Sequence, residues 1–219
     1  MLIFPQILAK AIGPATATYI ASASDVVDRA TYTFAASAFG SPTLPAGALV
    51  LVTHSRYGAN PHTGISTITE SSNSLTKIDA QINGQDYVDM WELTGRSAGA
   101  LGSIVITPTG ALVNRMAVDL YVVENWASTG TAVKSTASAP SMSVTVPALG
   151  CVIAGAFSNT GGPNATWTGT TEKSDGDVDG SNYTSSAADS EAGGTVVAVA
   201  TFGGGSSAPA GIAVPFGNS

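Results

Sequence analysis

The run Cys151-Val-Ile-Ala-Gly-Ala-Phe157 opens the stretch that decides the fold of this chain. Two further apolar runs, Thr195-Val-Val-Ala-Val-Ala-Thr-Phe202 and Ala210-Gly-Ile-Ala-Val-Pro-Phe216, close it. Between them lies a polar, glycine-rich segment that contains Ala165-Thr-Trp-Thr-Gly169. Short apolar runs separated by Gly, Ser, Thr, Asn and Asp are typical of β-strands joined by turns. The stretch therefore predicts a β-rich unit.

The rest of the chain repeats this pattern. Residues Ala48 to Thr53 form a strongly apolar run that indicates a central strand, and Ile65 to Glu70 has the mixed pattern of a half-exposed strand. We count roughly ten to twelve short strands with frequent turn signals and no long amphipathic helix. This pattern predicts an all-β fold, either an antiparallel β-sandwich or a jelly roll.

The longest strand candidate runs from Arg115 to Trp126 and alternates along its length. One face carries Met116, Val118, Leu120 and Val122, and the opposite face carries Ala117, Asp119, Tyr121 and Val123. Because only the second face contains a charged residue, we expect it to contact solvent or a partner.

The length of 219 residues suits one large β-domain with an arm. We assign residues 1–24 to an extended or short helical N-terminal arm and residues 25–219 to a single sandwich domain. The arm carries apolar side chains near helical spacing, interrupted by two prolines. These candidate partner-binding residues are Leu2, Ile3, Phe4, Ile7, Leu8 and Ile12. The arm either packs back on its own sheet or docks on a neighbouring subunit, and the sequence leaves both options open.

The charge balance restricts the partners. The net charge is -7 and only 11% of the residues are charged. Nucleic-acid binding and anionic membrane surfaces both require clustered Lys and Arg, so we expect neither partner. The sequence contains no run of 18 apolar residues, so we expect no membrane-spanning helix. The single cysteine, Cys151, lies in an apolar strand pattern and is interpreted as a core residue.

Metal binding has one weak candidate. Asp175, Asp177 and Asp179 in the string DGDVDG resemble the start of a calcium loop. The twelfth position, where such a loop needs a bidentate Glu, is Ser186, so a solvated acidic turn is the favoured interpretation. His54 and His62 are too few for a zinc site, and we expect no cofactor.

The sequence contains two candidate hydrolase patterns. Gly95-Arg-Ser-Ala-Gly99 matches the nucleophile string G-x-S-x-G, but a strand rather than a helix is predicted after it, and no His follows Ser97. A glycosidase pair would have to come from Glu92, Asp119 and Glu124, whose separation the sequence does not give. We therefore expect no catalytic residue.

Aromatic side chains offer a further candidate site. Trp167 and Tyr183 in the polar segment are candidate glycan contacts, because aromatic rings present an apolar face and a polar tip. Packing in the core is the alternative interpretation for both residues.

Four short strings resemble a loose family of β-sandwich virion proteins of tailed bacteriophages. They are Tyr19-Ile-Ala-Ser-Ala-Ser24 leading to Thr31-Tyr-Thr-Phe34, Tyr121-Val-Val-Glu-Asn-Trp126, Ala165-Thr-Trp-Thr-Gly-Thr-Thr-Glu172, and Ala198-Val-Ala-Thr-Phe202 leading to Ile212-Ala-Val-Pro-Phe216. These strings are spread along most of the chain from Tyr19 onward.

The resemblance implies a non-enzymatic structural role on the exterior of a virion. A capsid decoration (cement) protein that docks through its arm and its sheet edges is the preferred form. A tail fibre, an adhesin or a carbohydrate-binding module is the alternative. The partners implied are the major capsid protein or other virion proteins, and a homo-oligomer is expected, with a trimer as one form.

Overall fold

The computed structural model describes residues 13–57, 64–110, 113–159, 165–203 and 209–218, except for the side chains of residue 57 and of residues 190–192. This part of the chain is built from β-strands and contains one 3-10 turn, Ala36–Phe39, and no α-helix. In chain order the strands are β1 Thr16–Asp25, β2 Tyr32–Phe34, β3 Thr43–Leu44, β4 Gly47–Tyr57, β5 Ile65–Glu70, β6 Asn73–Ser74, β7 Thr76–Asn83, β8 Asp86–Arg96, β9 Gly99–Ala100, β10 Ile104–Pro108, β11 Val113–Glu124, β12 Ser128–Thr129, β13 Val133–Ser135, β14 Ser141–Ser158, β15 Ala165–Thr168, β16 Glu172–Asp177, β17 Tyr183–Phe202 and β18 Ala210–Gly217.

The strands form three main antiparallel sheets. The central sheet has the order β1-β11-β4-β8-β7, and the small sheet has the order β2-β10-β5-β6. The third, which we call the bent sheet, has the order β12-β18-β14-β17-β15, with β13 paired to β18 and β16 paired to β17. A two-stranded pair, β3-β9, completes the fold. The predicted all-β antiparallel sandwich is confirmed.

The central sheet is covered on both faces. Leu49 and Leu51 of β4 pack with small-sheet residues such as Ile104, whereas Val50 and Val52 of the same strand pack with the bent sheet. A strand that is buried on both faces favours apolar side chains at successive positions, which explains the continuous apolar run in the sequence of β4. The prediction of a central strand here is confirmed.

The prediction for the second face of β11 is wrong. Tyr121 and Val123 lie in the core between the central and bent sheets, and Asp119 beside them is only 3% exposed. The bent sheet covers this face, so its single carboxylate is buried among polar partners rather than in solvent.

The bent sheet folds over on itself and encloses a third core. Its longest strand, β14, changes register between Val146 and Gly150, and Leu149 at the bend has a left-handed φ of 58°. The first half of the strand then lies over β18, where a Cβ on Gly211 would be 3.0 Å from the sulfur of Met142. The two halves approach so closely that small side chains dominate between them, including Ala154.

Part of the predicted arm belongs to the domain. Thr16–Asp25 form β1, which pairs with β11 from Thr16 opposite Glu124 to Asp25 opposite Met116. Residues 16–24 therefore form an edge strand of the central sheet. Alternating Thr, Ala, Tyr and Ser fit a half-buried edge, although they lack the contrast of large apolar and charged residues that would mark a strand. Residues 1–12, which carry the predicted helical spacing, lie outside the described residues.

Candidate functional site

A chain of polar side chains crosses the interface between the central and bent sheets. His54 Nε2 lies 3.0 Å from Asp119 Oδ2, and Ser174 Oγ donates a hydrogen bond to Asp119 Oδ1 at 2.8 Å. Ser174 Oγ also lies 2.8 Å from Ser186 Oγ, which pairs with the hydroxyl of Tyr121. His54 and Ser186 are fully buried. We call these five residues the interlayer cluster.

Strand register brings the two charged-type groups of this cluster together. On the central sheet, His54 of β4 lies opposite Ala117 of β11, and Asp119 is two residues further along β11. Residues related in this diagonal way share a face and come within reach when one side chain is long. The bent sheet then supplies the two serines from β16 and β17.

The order of groups in the cluster differs from that of a hydrolase triad. A triad places the imidazole between the carboxylate and the nucleophilic hydroxyl. Here the carboxylate of Asp119 lies between the imidazole of His54 and the hydroxyl of Ser174, and His54 Nδ1 has no hydrogen-bond partner among the described residues. Ser174 therefore lacks the imidazole contact of a triad, and its hydrogen bond to Asp119 joins two layers of the sandwich.

Burial also keeps the phenol of the cluster protonated. Burial raises the pKa of Tyr121 well above its ordinary value, and the nearby charge of Asp119 raises it further. Tyr121 therefore remains a neutral hydrogen-bonding group at physiological pH.

A second buried carboxylate faces the bent sheet. Asp86 is fully buried, and its nearest cation is Arg56, whose Nε is 4.0 Å from Asp86 Oδ1. Burial raises the pKa of Asp86 to about 7, while Arg56 and the backbone amide of Asn159 partly oppose this shift. Arg56 also donates a 2.9 Å hydrogen bond to Asn182 Oδ1, which links the two sheets again.

A third buried carboxylate lies on the opposite face of the central sheet. Asp89 is fully buried and contacts the ammonium group of Lys77, which lies 5.4 Å from the ring centroid of Trp91. Burial raises the pKa of Asp89, and Lys77 lowers it only in part.

Ser97, the serine of the G-x-S-x-G string, lies in a surface groove of about 500 Å³ beside the turn between β8 and β9. Arg96 donates hydrogen bonds to the carbonyls of Ser97, Gly99 and Ala100 and lies 3.5 Å from Glu70. No histidine lines this groove among the residues that the structure describes. The groove therefore offers hydroxyl and guanidinium groups and the carboxylate of Glu70, which pairs with Arg96, but no imidazole beside Ser97 among the described residues.

The three candidate carboxylates have separate surroundings. Glu92 accepts a hydrogen bond from Thr129 Oγ1, Asp119 belongs to the interlayer cluster, and Glu124 lies opposite Thr16 at the end of β11. Within the described ranges, no hydrogen bond or shared cleft brings two of these carboxylates together.

The carboxylates of the DGDVDG string are bound to different partners. Asp175 accepts a hydrogen bond from the amide of Ala165, and Asp177 accepts one from the amide of Gly180. Asp179 pairs with Arg115; burial opposes its ionisation, but hydrogen bonds from Arg115 and the neighbouring turn lower its pKa overall. No group of three potential metal ligands forms in the described part of the chain.

The two candidate glycan contacts are buried in this monomer. Trp167 is 8% exposed, packs in the third core and donates a 2.7 Å hydrogen bond to Ser185 Oγ. Tyr183 is 7% exposed, and its hydroxyl donates to the carbonyl of Gly180. Neither ring presents a face to solvent.

The remaining candidates divide between core and undescribed segments. Cys151 is buried between the central and bent sheets, and burial raises the pKa of its thiol to about 12, so it is an unreactive core residue. The predicted partner-binding residues of the arm and His62 lie outside the described residues.

Sequence reasoning missed the buried polar groups of the layer interfaces. Asp86 and Asp89 are not among the candidate site residues, and His54 is considered there only as one of two histidines too few for a zinc site. The available signal was the presence of charged-type residues inside runs of otherwise apolar strand positions, where a buried charge requires a partner.

Comparison with known proteins finds no match among protein families, curated proteins or solved structures. In the described ranges, none of the helical segments has the length and apolar character needed to span a membrane.

Proposed function

We propose that this chain is a non-enzymatic structural protein of a phage virion, most specifically a decoration protein that docks on the head shell through its N-terminal segment. The proposal rests on three hydrogen bonds that attach residues 13–15, which directly follow that segment, to the domain. The amide of Ala15 donates a 2.8 Å hydrogen bond to the carbonyl of Leu149. Asn125 donates to the carbonyl of Pro14, and Asn218 donates to the carbonyl of Gly13.

These three hydrogen bonds hold residues 13–15 against the bend of the long strand β14. Leu149 at this bend is 53% exposed, the largest exposed fraction among the large apolar residues that the structure describes. An apolar segment, residues 1–12, thus joins the domain beside an exposed apolar side chain. Adjacent apolar elements of this kind favour a protein interface.

The internal polar groups also support a structural role. The interlayer cluster and the Arg56–Asp86 pair lie between layers, and their contacts tie one sheet to another. A rigid layered scaffold with hydroxyl-rich loops suits the outside of a particle. Phage origin itself is suggested only by the four resembling strings.

The test is a truncation that spares the domain. A deletion of residues 2–12 leaves β1 intact, whereas a deletion to residue 24 would remove most of an edge strand of the central sheet. Both the full chain and the truncated chain would be co-sedimented with head shells assembled from the capsid protein of the same genome. Binding by the full chain and loss of binding by a truncated chain with unchanged melting would support the proposal.

A second test variant is Leu149→Ser. If the exposed leucine shares the docking surface, this variant binds more weakly without unfolding, since its side chain is more than half exposed. Equal shell binding by the full and truncated chains would reject docking through the N-terminal segment.

A tail-associated adhesin or carbohydrate-binding module is the second candidate. The groove beside Ser97 favours it, because hydroxyl, amide and guanidinium groups from Ser71, Asn73 and Arg96 line an open space of about 500 Å³. Such groups match the donors and acceptors of sugar hydroxyls. A glycan array with wild type and Asn73→Ala would test it; absence of binding to host surface sugars would count against it.

A further inference from the structure

The charges of this acidic chain are unevenly distributed. No Asp, Glu, Lys or Arg occurs between Ser135 and Thr171 or between Ala192 and Ser219. In the fold, these two uncharged runs supply β14, β15, β18 and the second half of β17. The net charge of -7 is therefore carried by the rest of the chain, and these strands form a part of the bent sheet without charged side chains.

This uncharged part of the bent sheet has an outer face made of hydroxyl and valine side chains, which we call the hydroxyl face. It is formed by the first half of β14, the second half of β17, and β15. Its residues are Ser141, Ser143, Thr145, Thr166, Thr168, Thr195, Val197, Val199 and Thr201. Their neighbours in sequence, such as Val144 and Ala198, point the opposite way into the third core.

The strand register arranges this face in a simple pattern. Val199 of the middle strand lies opposite Ser141 on one side and Thr168 on the other, and Val197 lies opposite Ser143. Val199 thus has hydroxyl residues on both sides, and Val197 has one on the β14 side. Val197 is 44% exposed although it is a large apolar residue in the middle of a regular strand.

We propose that the hydroxyl face is a homotypic interface, covered by a second copy of this chain in a two-fold arrangement. A two-fold interface must be complementary to itself. Hydroxyl groups meet this condition because each can both donate and accept a hydrogen bond, and valine packs against valine. Self-association on this face does not depend on the virion role proposed above.

Charge favours a second copy as the occupant. Two chains of net charge -7 repel one another, and they approach with the least like-charge contact where each presents no charged side chain. A highly charged partner would lose hydration against this face without gaining a counter-charge. The face also carries no aromatic ring on which a sugar could stack.

The size of the face sets the expected strength. Three strands about 4.8 Å apart and some six residues of about 3.3 Å each cover roughly 15 Å by 20 Å. That is on the order of 300 Å² for each copy, well below the roughly 800 Å² of a standard interface. We therefore expect a reversible dimer with a dissociation constant between about 10 μM and about 1 mM.

Sedimentation equilibrium of the full chain over that concentration range tests the proposal. The average mass of wild type is expected to rise towards twice the monomer mass. Val197→Arg places a charge in the centre of the face and is expected to remain monomeric. Val26→Arg is the matched control, because Val26 is also 44% exposed but lies outside the face, and it is expected to dimerise like wild type.

A second variant, Thr168→Lys, makes the same test from β15 and keeps it valid if Val197→Arg misfolds; circular dichroism checks the fold of each. A wild type that remains monomeric throughout would overturn the proposal, as would Val197→Arg and Thr168→Lys variants that are folded and dimerise normally. Retention of a monomeric wild type on an insoluble polysaccharide would also overturn it and would point to a glycan as the occupant. Loss of dimerisation with head-shell binding intact would separate this interface from the proposed docking role.

Discussion

His54 Nε2 and Asp119 Oδ2 lie 3.0 Å apart across strands β4 and β11, and the bent sheet shuts both side chains off from solvent. The same carboxylate accepts a hydrogen bond from Ser174 of the bent sheet. Asp119 is therefore the point at which the polar groups of two sheets meet, and the stability of the layered fold is expected to depend on it.

Asp119→Ala is expected to lower the free energy of unfolding by about 2–4 kcal/mol, because it leaves the buried imidazole of His54 without its partner and removes one of the two hydroxyl contacts of Ser174. Ser174→Ala, which removes one hydroxyl and leaves the His54 contact, is the milder comparison at about 1 kcal/mol. Urea unfolding followed by tryptophan fluorescence measures both. Equal small losses would show that the cluster contributes little to holding the layers together.

Lys77→Met is expected to destabilise the fold more at pH 8 than at pH 5. Burial already raises the pKa of Asp89, and loss of the lysine raises it further, so the folded state resists the ionised form that high pH favours. Since Lys77 is one-third exposed, the loss at pH 8 is discounted to roughly 1–3 kcal/mol.

Lys134→Met provides the control for that lysine. Lys134 and Asp79 form a 3.0 Å ion pair in which both side chains are more than one-third exposed, so the loss is expected to stay below about 0.5 kcal/mol. Thermal melts of both variants at the two pH values decide the matter. If Lys77→Met lost the same stability relative to wild type at pH 5 and at pH 8, the role given to Asp89 would be contradicted.

Asp86→Asn is expected to change how stability depends on pH. Burial moves the pKa of Asp86 from 3.8 to about 7, so between these values the folded state holds a proton that the unfolded state has lost. Raising the pH through this window therefore costs the wild type stability that the asparagine variant retains. Above about pH 7 the difference is expected to become constant.

The measurement is the difference in free energy of unfolding between the Asp86 variant and wild type from pH 4 to pH 8. Asp28→Asn, at a position where the side chain is 56% exposed, controls for the removal of a surface charge. A flat difference across the window would be incompatible with a buried, proton-holding Asp86.

Gly155→Ala is expected to destabilise the fold by roughly 1–3 kcal/mol through overpacking between the central and bent sheets. A Cβ at this position would lie 2.3 Å from Cγ1 of Val52 on the facing sheet. Gly99→Ala is the matched control, since nothing lies within 4 Å of its added Cβ. Similar melting temperatures for the two variants would mean that the layers can separate at little cost.

The strands could be predicted from the sequence because side-chain alternation and turn residues are local features. Ile65 to Glu70 was predicted and found with the same bounds, and the apolar run from Ala48 to Thr53 lies inside β4. By contrast, residues 16–24 are included in the predicted arm, and their small and hydroxyl side chains show little alternation. Only pairing with β11 identifies them as a strand.

The buried polar groups were less predictable than the strands. Asp119 suggested a solvent face, since a charged residue in an alternating strand usually marks the exposed side. Its burial depends on a sheet contributed by residues far along the chain, including Ser174 and Ser186, and no local pattern around β11 contains that information.

The sequence by itself determined that this protein is an all-β chain of short and long strands with an apolar N-terminal segment and two uncharged runs. Those properties follow from side-chain alternation, turn residues and charge, all of which act locally. Only the tertiary structure decided that the small sheet and the bent sheet cover the central sheet, that His54 contacts Asp119, and that parts of the two uncharged runs form one outer face. The physical reason is that burial is set by what packs on the far side of a strand, and in this fold that partner is distant in sequence.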